Sequence, residues 1–512
     1  MTLDQIVRRN GLRFPDRTAL AMDDDELSWR DLDRRVDRLS NALLDAGLNS
    51  GDRAAILLGN RPEYFELYFA CARSGVIAVP INFRLTPAET AEILDTAGPS
   101  LLVLGAEYIP IAEAVRELMP GLDRLWVIGD GRLEGAESYE TMLESAAPQP
   151  VEARGADTDT LAIFFTSGTT GLPKGALVSH LNLEANGYNQ FVADGSRRDD
   201  INLVATPIYH MGAVFMAVTY MMLGCTQVIL PAFAPVSWLE TLQRWRATTS
   251  LLIPTMINAV LNEPRVGDFD VSSLRLIFYG GGPMPPAVLE RALEAFHCDF
   301  TQGYGLTETL EATFLVAEDH RVDGNEAKRR RLASAGREAV GADVRIVDDD
   351  GSDLPSGEIG EVLIRSRSVI SGYWNNPEET AAAIRDGWFC TGDLGYLDEE
   401  RYLFIVDRKK DMVISGGVNI YTKEVETVLY RHPAVREAAV FGLPDDEWGE
   451  IVTAAVSLRA GQTVGENELI DFCKGCLASF KKPKRVVFLD ELPKNPSGKI
   501  LKRELRRDLV GA

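Results

Sequence analysis

Cysteine is scarce: six in 512 residues, with Cys71, Cys225, Cys298 and Cys390 far from one another. No disulfide framework can be built from them, and such usage suits a reducing compartment, so a cytoplasmic location is the expectation. Cys473 and Cys476 form a Cys-x-x-Cys with no second pair and no nearby histidine, which favours packing in a helix over a metal site. Basic residues are also short, 53 against 76 acidic, for a formal net charge of −23. A molecule so charged repels phosphate backbones and anionic membranes, which excludes generic nucleic-acid binding. The first 18 residues hold no continuous apolar run, so no export signal is expected there. Repeats and low-complexity segments are absent.

One stretch, residues 211–239, lacks Asp, Glu, Lys and Arg and has the length to cross a bilayer. Gly224, Pro231 and Pro235 interrupt it. It therefore splits into a helix up to Leu223 and a strand at 227–230, both buried in an α/β core, and no stable membrane insertion is expected. The run Lys328-Arg329-Arg330-Arg331 is expected to be a solvated loop.

What is present is ordinary globular material, 46% hydrophobic and 25% charged, with length for two or more domains. Short apolar runs at 54–58, 76–80 and 101–104 alternate with helical patterns at 64–72 and 88–97. This order predicts parallel sheets with helices on both faces. Residues 28–46 place Leu32, Val36, Leu39, Leu43 and Leu44 on one helical face, the expected core face. From about Gly341 the pattern changes to alternating segments at 342–347 and 360–365, separated by Asp348-Asp349-Asp350-Gly351, which reads as antiparallel hairpin material. After Asp407-Arg408-Lys409-Lys410 comes a helix, strand, strand, helix plan of roughly a hundred residues, large enough for a separate domain. The boundary is placed there, giving domains 1–408 and 409–512.

Chemistry concentrates after the apolar strand 161–165, in Thr166-Ser167-Gly168-Thr169-Thr170-Gly171-Leu172-Pro173-Lys174-Gly175. Glycines let backbone N–H groups approach phosphate oxygens, hydroxyls donate further bonds, and Lys174 adds a positive charge. The spacing is not the Walker pattern, since Gly175 follows the lysine.

Together with Gly303-Tyr304-Gly305-Leu306-Thr307-Glu308-Thr309, Trp388-Phe389-Cys390-Thr391-Gly392-Asp393, Asp407-Arg408-Lys409-Lys410-Asp411, Ser415-Gly416-Gly417-Val418-Asn419-Ile420-Tyr421 and Pro493-Lys494-Asn495-Pro496-Ser497-Gly498-Lys499, this loop resembles the adenylate-forming superfamily, and more closely its acyl-CoA synthetase branch. The resemblance runs over nearly the whole chain. It implies an α/β fold: a large N-terminal domain of parallel α/β sheets plus a small antiparallel barrel-like subdomain, then a small mobile α+β C-terminal domain. It also implies the reaction, in which a carboxylate attacks the α-phosphate of ATP to give an acyl adenylate and pyrophosphate, and a thiolate then displaces AMP to give a thioester.

ATP, Mg2+ and coenzyme A are the implied cofactors. Because a carboxylate approaching a polyphosphate is anion against anion, the site must supply cations where charge accumulates. Lys499 matches the family's lysine that bridges carboxylate and α-phosphate. Thr307 matches the contact to the α-phosphate, and Glu308 the magnesium ligand. Thr166, Ser167, Gly168, Thr169, Thr170 and Lys174 match the phosphate loop. Tyr304, between Gly303 and Gly305, offers a face for adenine, with Gly281, Gly282 and Pro283 as its other wall. Asp393 and Arg408 match the ribose contacts, with a structural ion pair as the competing reading. Lys410 matches the hinge about which family members rotate the C-terminal domain between half-reactions.

Gly416 and Gly417 match the pantetheine path, an ordinary glycine turn being the alternative. Phe480 and Lys482, with Trp448 as a third contact, match a CoA-holding segment in the basic cluster Phe480-Lys481-Lys482-Pro483-Lys484-Arg485, against which stands a merely solvated loop. His210 matches an aromatic gate between acyl pocket and thiol tunnel and is not read as an acid or base. Family members often have Glu at Val418 and Pro at Thr422, so the thiol-side loop departs from the pattern. The implied acyl pocket, residues 209–218, 253–260, 280–282 and 302–309, is mainly apolar. With no arginine placed for a dicarboxylate, a hydrophobic monocarboxylic acid is the expected small-molecule substrate. Two other readings stand beside the acid:CoA ligase: an adenylating enzyme that loads a carrier-protein pantetheine, and a non-catalytic nucleotide- or acid-binding protein. A homodimer is compatible with all three.

Overall fold

The computed structural model describes residues 1–119, 121–166, 173–282, 284–321, 324–445, 447–494 and 500–510. The chain divides into two compact units, residues 1–344 with 364–390, and residues 345–363 with 391–512.

The larger unit holds two mixed sheets. The first has seven strands in the order Glu137–Ser138, Leu125–Ile128, Leu101–Gly105, Arg53–Leu57, Ile77–Pro80, Thr160–Thr166 and Lys174–Ser179. All neighbours run parallel except the last pair, an antiparallel hairpin in which Thr166 faces Lys174. Leu101–Gly105 is buried along its whole length, as parallel strands covered on both faces must be. The second has nine strands: Arg337–Glu338, Leu310–Leu315, Asp299–Leu306, Leu276–Tyr279, Thr249–Leu252, Ile201–Val204, Thr226–Ile229, Thr18–Met22 and Asp25–Ser28. Its centre is parallel and both edges are antiparallel. The parallel arrangement expected from the alternation of strands and helices holds through the body of each sheet, with antiparallel pairs added at the edges, where neighbours need no crossover helix.

The helices follow from local chemistry. Ser28 caps Trp29–Asp45 by accepting from the Asp31 N–H, and Leu32, Val36, Leu39 and Leu43 are buried as expected. Leu44 instead lies at the margin, half-buried, because the apolar stripe is one residue narrower than the spacing suggests. Met211–Met222 is a buried helix of 12 residues, followed by the strand Thr226–Ile229. Among the described residues no helix is long and apolar enough to cross a membrane. The basic run at 328–331 ends the short helix Glu326–Arg331, a correction to the loop expected there; cations in a last helical turn face the negative end of its dipole.

A smaller five-stranded barrel-like sheet takes Ala342–Val347, Gly360–Ser366, Trp388–Leu397 and Ile384–Arg385 in order, with Leu403–Arg408 antiparallel to Trp388–Leu397. The second unit then builds an α+β layer: Val418–Ile420, Val413–Ser415, Gly449–Leu458 and Val435–Asp445, with Arg485–Phe488 parallel to Gly449–Leu458. Val425, Leu429, Val440, Val456 and Cys473 form its core. Cys476, expected to pack there too, is exposed, since it closes the helix Glu466–Cys476 three residues beyond the buried position.

Candidate active site

Each large sheet has, within its parallel part, a strand whose two following strands lie on opposite sides of it, and ligands of open α/β sheets bind outside the carboxyl ends at such points. In the nine-stranded sheet this strand is Ile201–Val204, flanked by Thr226–Ile229 and Thr249–Leu252; in the seven-stranded sheet it is Arg53–Leu57, flanked by Ile77–Pro80 and Leu101–Gly105. Asn60, just past the second, joins the two. Its buried amide donates to the carbonyls of Thr206 (3.0 Å) and Leu230 (3.1 Å) and accepts from the Ile208 N–H at 2.8 Å. This fixes the segment leading to His210.

His210 is the N-cap residue of Met211–Met222. Burial, with Arg84 adding to it, pulls its imidazole down to about 4, so the ring is neutral at physiological pH. Its Nε2 and the neighbouring Tyr209 hydroxyl are buried without a hydrogen-bond partner, and Tyr209 meets Phe83 edge-on at 5.1 Å. Apolar side chains continue from there: Met211, Val214, Phe215, Leu251, Phe278 and Phe314 belong to one buried cluster.

Gly303, Tyr304 and Gly305 lie in the strand Asp299–Leu306, and Thr307 and Glu308 in the turn to Leu310–Leu315. Neighbouring backbone leaves no room for a side chain at Gly305, nor at Gly280 on the adjoining segment. A Cβ at Gly305 would stand 1.5 Å from the Leu310 carbonyl oxygen, and one at Gly280 would stand 2.7 Å from that of Gly303. The close approach of Gly280 brings Gly281 and Gly282 beside the Gly303–Tyr304 strand. The turn is held by Thr309, whose hydroxyl accepts from the Leu306 N–H at 2.9 Å, and by the Ile370 N–H, which donates to the Glu308 carbonyl at 2.9 Å.

Glu308 is the meeting point of the two sheets. Its Oε1 accepts from Thr166 Oγ1 (3.3 Å), at the end of Thr160–Thr166, and from the Tyr373 hydroxyl (3.1 Å). Burial, reinforced by Glu308 itself, raises the Tyr373 phenol, which keeps it a donor. Lys174 forms an ion pair with Glu379, and its ammonium lies 5.6 Å from the Tyr373 ring centroid. Thus Thr166, Lys174 and Glu308 converge with Tyr373 and Glu379, neither of which sequence reasoning had marked. Ser167, Gly168, Thr169, Thr170, Pro283 and Lys499 lie outside the described residues.

The second unit carries the remaining candidates. Asp393 and Arg408 face each other on paired strands, with Arg408 Nε 2.6 Å from Asp393 Oδ1. Asp393 is buried and the arginine about one-third exposed. Lys410 is exposed, in the turn after Leu403–Arg408. Gly416 and Gly417, with φ of +59° and +77°, form the two-residue turn between Val413–Ser415 and Val418–Ile420, a hairpin connection that requires positive φ at both positions. Trp448 covers that turn: its carbonyl accepts from the Gly416 N–H at 2.8 Å, and a Cβ at Gly416 would meet its ring at 2.9 Å. Lys484, a member of the basic cluster to which the sequence reading gave no contact of its own, places its ammonium 3.7 Å from the Trp448 ring centroid, a cation–π distance. Phe480 is exposed and Lys482 half-buried in the loop before Arg485–Phe488.

Thr422, the first residue of Thr422–Leu429, gives both its N–H and its hydroxyl to the buried Asp407 carboxylate and accepts from Lys502 Nζ at 2.7 Å. A proline could not make the first of these bonds. Among the described residues no group of three or more His, Cys, Asp or Glu is placed to hold a metal.

Comparison with known proteins agrees with this geometry. The AMP-binding enzyme family matches residues 7–374, and the AMP-binding enzyme C-terminal domain matches 424–499. A fatty acid–[acyl-carrier-protein] ligase, ScoC, of Streptomyces coeruleorubidus is 37% identical over 99% of this chain and 96% of its own. A feruloyl-CoA synthase of an Amycolatopsis species is 39% identical over 98% and 97%. Among solved structures, ATP-bound MatB from Rhodopseudomonas palustris superposes with a TM-score of 0.88 at 32% identity, covering 100% of this chain and 99% of its own. The chain belongs to the AMP-binding enzyme family, within the adenylate-forming superfamily. It is an acid–thiol ligase of the acyl-CoA synthetase type, whose chemistry is ATP-dependent activation of a carboxylic acid as acyl adenylate followed by transfer to a thiol.

Proposed function

We propose that this enzyme is an acid:CoA ligase acting on a hydrophobic monocarboxylic acid with Mg2+ and ATP. The observation that carries the reading is the convergence of the Thr166 and Tyr373 hydroxyls on Glu308, beside the Lys174–Glu379 pair and the apolar cluster that includes Met211. ATP lies with adenine between Tyr304 and Gly281-Gly282-Pro283 and with its phosphates along 166–174. The Lys174 ammonium leaves Glu379 for a phosphate oxygen, the stronger anion. Glu308 fits magnesium: it is a hard oxygen donor oriented through one oxygen by two hydroxyls, and an ion carried by a triphosphate takes only one or two protein carboxylates. Bound there, the ion would offset charge on the phosphates. Thr307 steadies the α-phosphate, Asp393 accepts from the ribose hydroxyls while Arg408 orients it, and Lys499 neutralises the two anions as they merge.

Rotation about Lys410 then withdraws Lys499 and presents Gly416, Gly417 and Trp448 to the thiol. His210, neutral and on a helix end, gates the acyl pocket as a flat side chain. Coenzyme A is favoured as acceptor by the Lys484–Trp448 contact, a cation on an exposed indole, with Phe480 and Lys482 close by in sequence. The second reading, transfer to a carrier-protein pantetheine, is supported by the 37% identity to a fatty acid–[acyl-carrier-protein] ligase. A panel of alkanoic and arylalkanoic acids assayed for pyrophosphate release, with CoA, with a holo carrier domain and with neither, tests both. Release with an acid and turnover with CoA is expected; release coupled only to the carrier selects the second reading. No release with any acid overturns both.

A further inference from the structure

The antiparallel pair Asp299–Leu306 and Leu310–Leu315 contains one irregularity. Tyr304 faces Thr313 whereas Gly305 faces Glu311, so Ala312 is an extra residue. Such a bulge re-aims the side chains beside it. Gly303 faces Phe314 and Gly305 faces Glu311, which puts Glu311 and Phe314 on the same face of the sheet despite their odd spacing. That face is the apolar one: Phe314 meets Phe278 edge-on at 6.2 Å, and Phe278 meets Phe215 of Met211–Met222 at 6.1 Å. A carboxylate has been inserted into an aromatic lining.

Its place is well defined. A Cβ on Gly303 would stand 2.4 Å from Glu311 Oε2 and 2.6 Å from the Phe278 ring, so the carboxyl lies directly against the glycine strand that carries Tyr304. Glu311 is 8% exposed, and its Oε2 is buried with no hydrogen-bond donor. The residue that holds its backbone has a spare group as well: Asn186 accepts the Glu311 N–H at 2.9 Å through Oδ1, while its own Nδ2 is buried without an acceptor. A fold gains nothing from burying an unpaired carboxyl, which costs on the order of 1–3 kcal/mol, and such groups are therefore functional candidates.

We propose that Glu311 is a specificity-determining residue of the acyl pocket, which hydrogen-bonds a hydroxyl group carried by the hydrophobic acid away from its reacting carboxylate. The inference rests on the acyl pocket proposed above and narrows its substrate to hydroxylated acids. Burial without a compensating cation pushes the Glu311 carboxyl up to about 8, so near neutral pH it is largely a neutral acid that both donates and accepts. A hydroxyl matches both roles. A site built around such a bond rejects the analogue that lacks the hydroxyl, because the protein group is then left unpaired.

The test is a set of matched acids followed by pyrophosphate release: ortho-, meta- and para-hydroxycinnamate against cinnamate, and mid-chain and terminal hydroxydecanoates against decanoate. The wild-type enzyme, Glu311→Gln and Glu311→Leu are compared. The wild type is expected to prefer at least one hydroxylated acid over its parent by about 100-fold or more in kcat/KM. Glu311→Gln, isosteric and still able to hydrogen-bond, should keep part of that preference, and Glu311→Leu should reduce it to within about threefold. Release from parent acids with no hydroxyl preference in the wild type overturns the proposal without any variant. So does a preference that survives Glu311→Leu. Absence of release with every acid is a different failure: it removes the ligase reading, and this inference with it.

Discussion

A buried carboxyl without a donor has a cost that depends on pH. The Glu311 carboxyl, ordinarily near 4.5, is pushed up to about 8 by burial, so between those values the folded chain holds a proton the unfolded chain has lost. Stability therefore declines as pH rises through that window. Glu311→Gln cannot titrate. Urea unfolding at pH 5 and pH 8 should show the wild type losing roughly 2–4 kcal/mol relative to this variant. Tyr373 offers a second test. Its hydroxyl is one of two that orient Glu308, and Tyr373→Phe removes that bond while keeping the ring under Lys174. A hydrogen bond to a carboxyl group is worth about 1.5 kcal/mol, so kcat/KM for ATP should fall about tenfold while the thermal midpoint drops by no more than about 3 °C. A fall of less than twofold would mean that Thr166 alone suffices.

Elements were legible in the sequence where periodicity or burial is local. The strands at 53–57, 77–80 and 101–105 and the helices between them lie within a residue or two of their apolar runs, because parallel core strands are apolar on both faces. Pairing partners were less legible. Nothing in residues 160–179 states that Thr166 should face Lys174, and nothing in Leu310-Glu311-Ala312 announces a bulge; both are fixed by register against a neighbouring strand. The missed partners of the site share this cause. Glu379 reaches Lys174 from 205 residues away and Tyr373 reaches Glu308 from 65, with no motif around either that names its target. Asn60 looks like any loop asparagine until the two sheets are assembled. Thr422 shows how a departure from the family pattern is absorbed: proline suits a first helical position, but threonine there adds an N–H that Asp407 accepts. Thr422→Pro should destabilise the second unit by about 1–3 kcal/mol in denaturant unfolding, while a neutral result would show that the Lys502 and Glu426 ion pair carries that corner.

At the scale of the whole molecule, the division into a larger and a smaller unit separates the candidates by half-reaction. Thr166, Lys174, Thr307 and Glu308, proposed above for the phosphates, belong to the first, and Gly416, Gly417, Trp448 and Phe480, proposed for the thiol, to the second. Lys499→Ala should abolish pyrophosphate release, yet thioester formation from a supplied acyl adenylate should proceed; equal loss of both steps would contradict rotation about Lys410. With a net charge of −23, the surface opposes every anionic reactant the enzyme must admit, which makes cations such as Lys174, Lys482 and Lys484 more consequential than their number suggests.

Asn60 has a consequence for how the larger unit breathes. The Ile208 amide sits in a connecting segment, where hydrogen exchange is ordinarily fast, but its proton is given to a buried side chain anchored in the other sheet. It can reach solvent only when the two sheets part, so it should exchange with deuterium as slowly as the central strands. Asn60→Ala should speed that one amide while leaving Leu203 and Ile56 slow, making a single loop proton a reporter of whether the two large sheets move as one body.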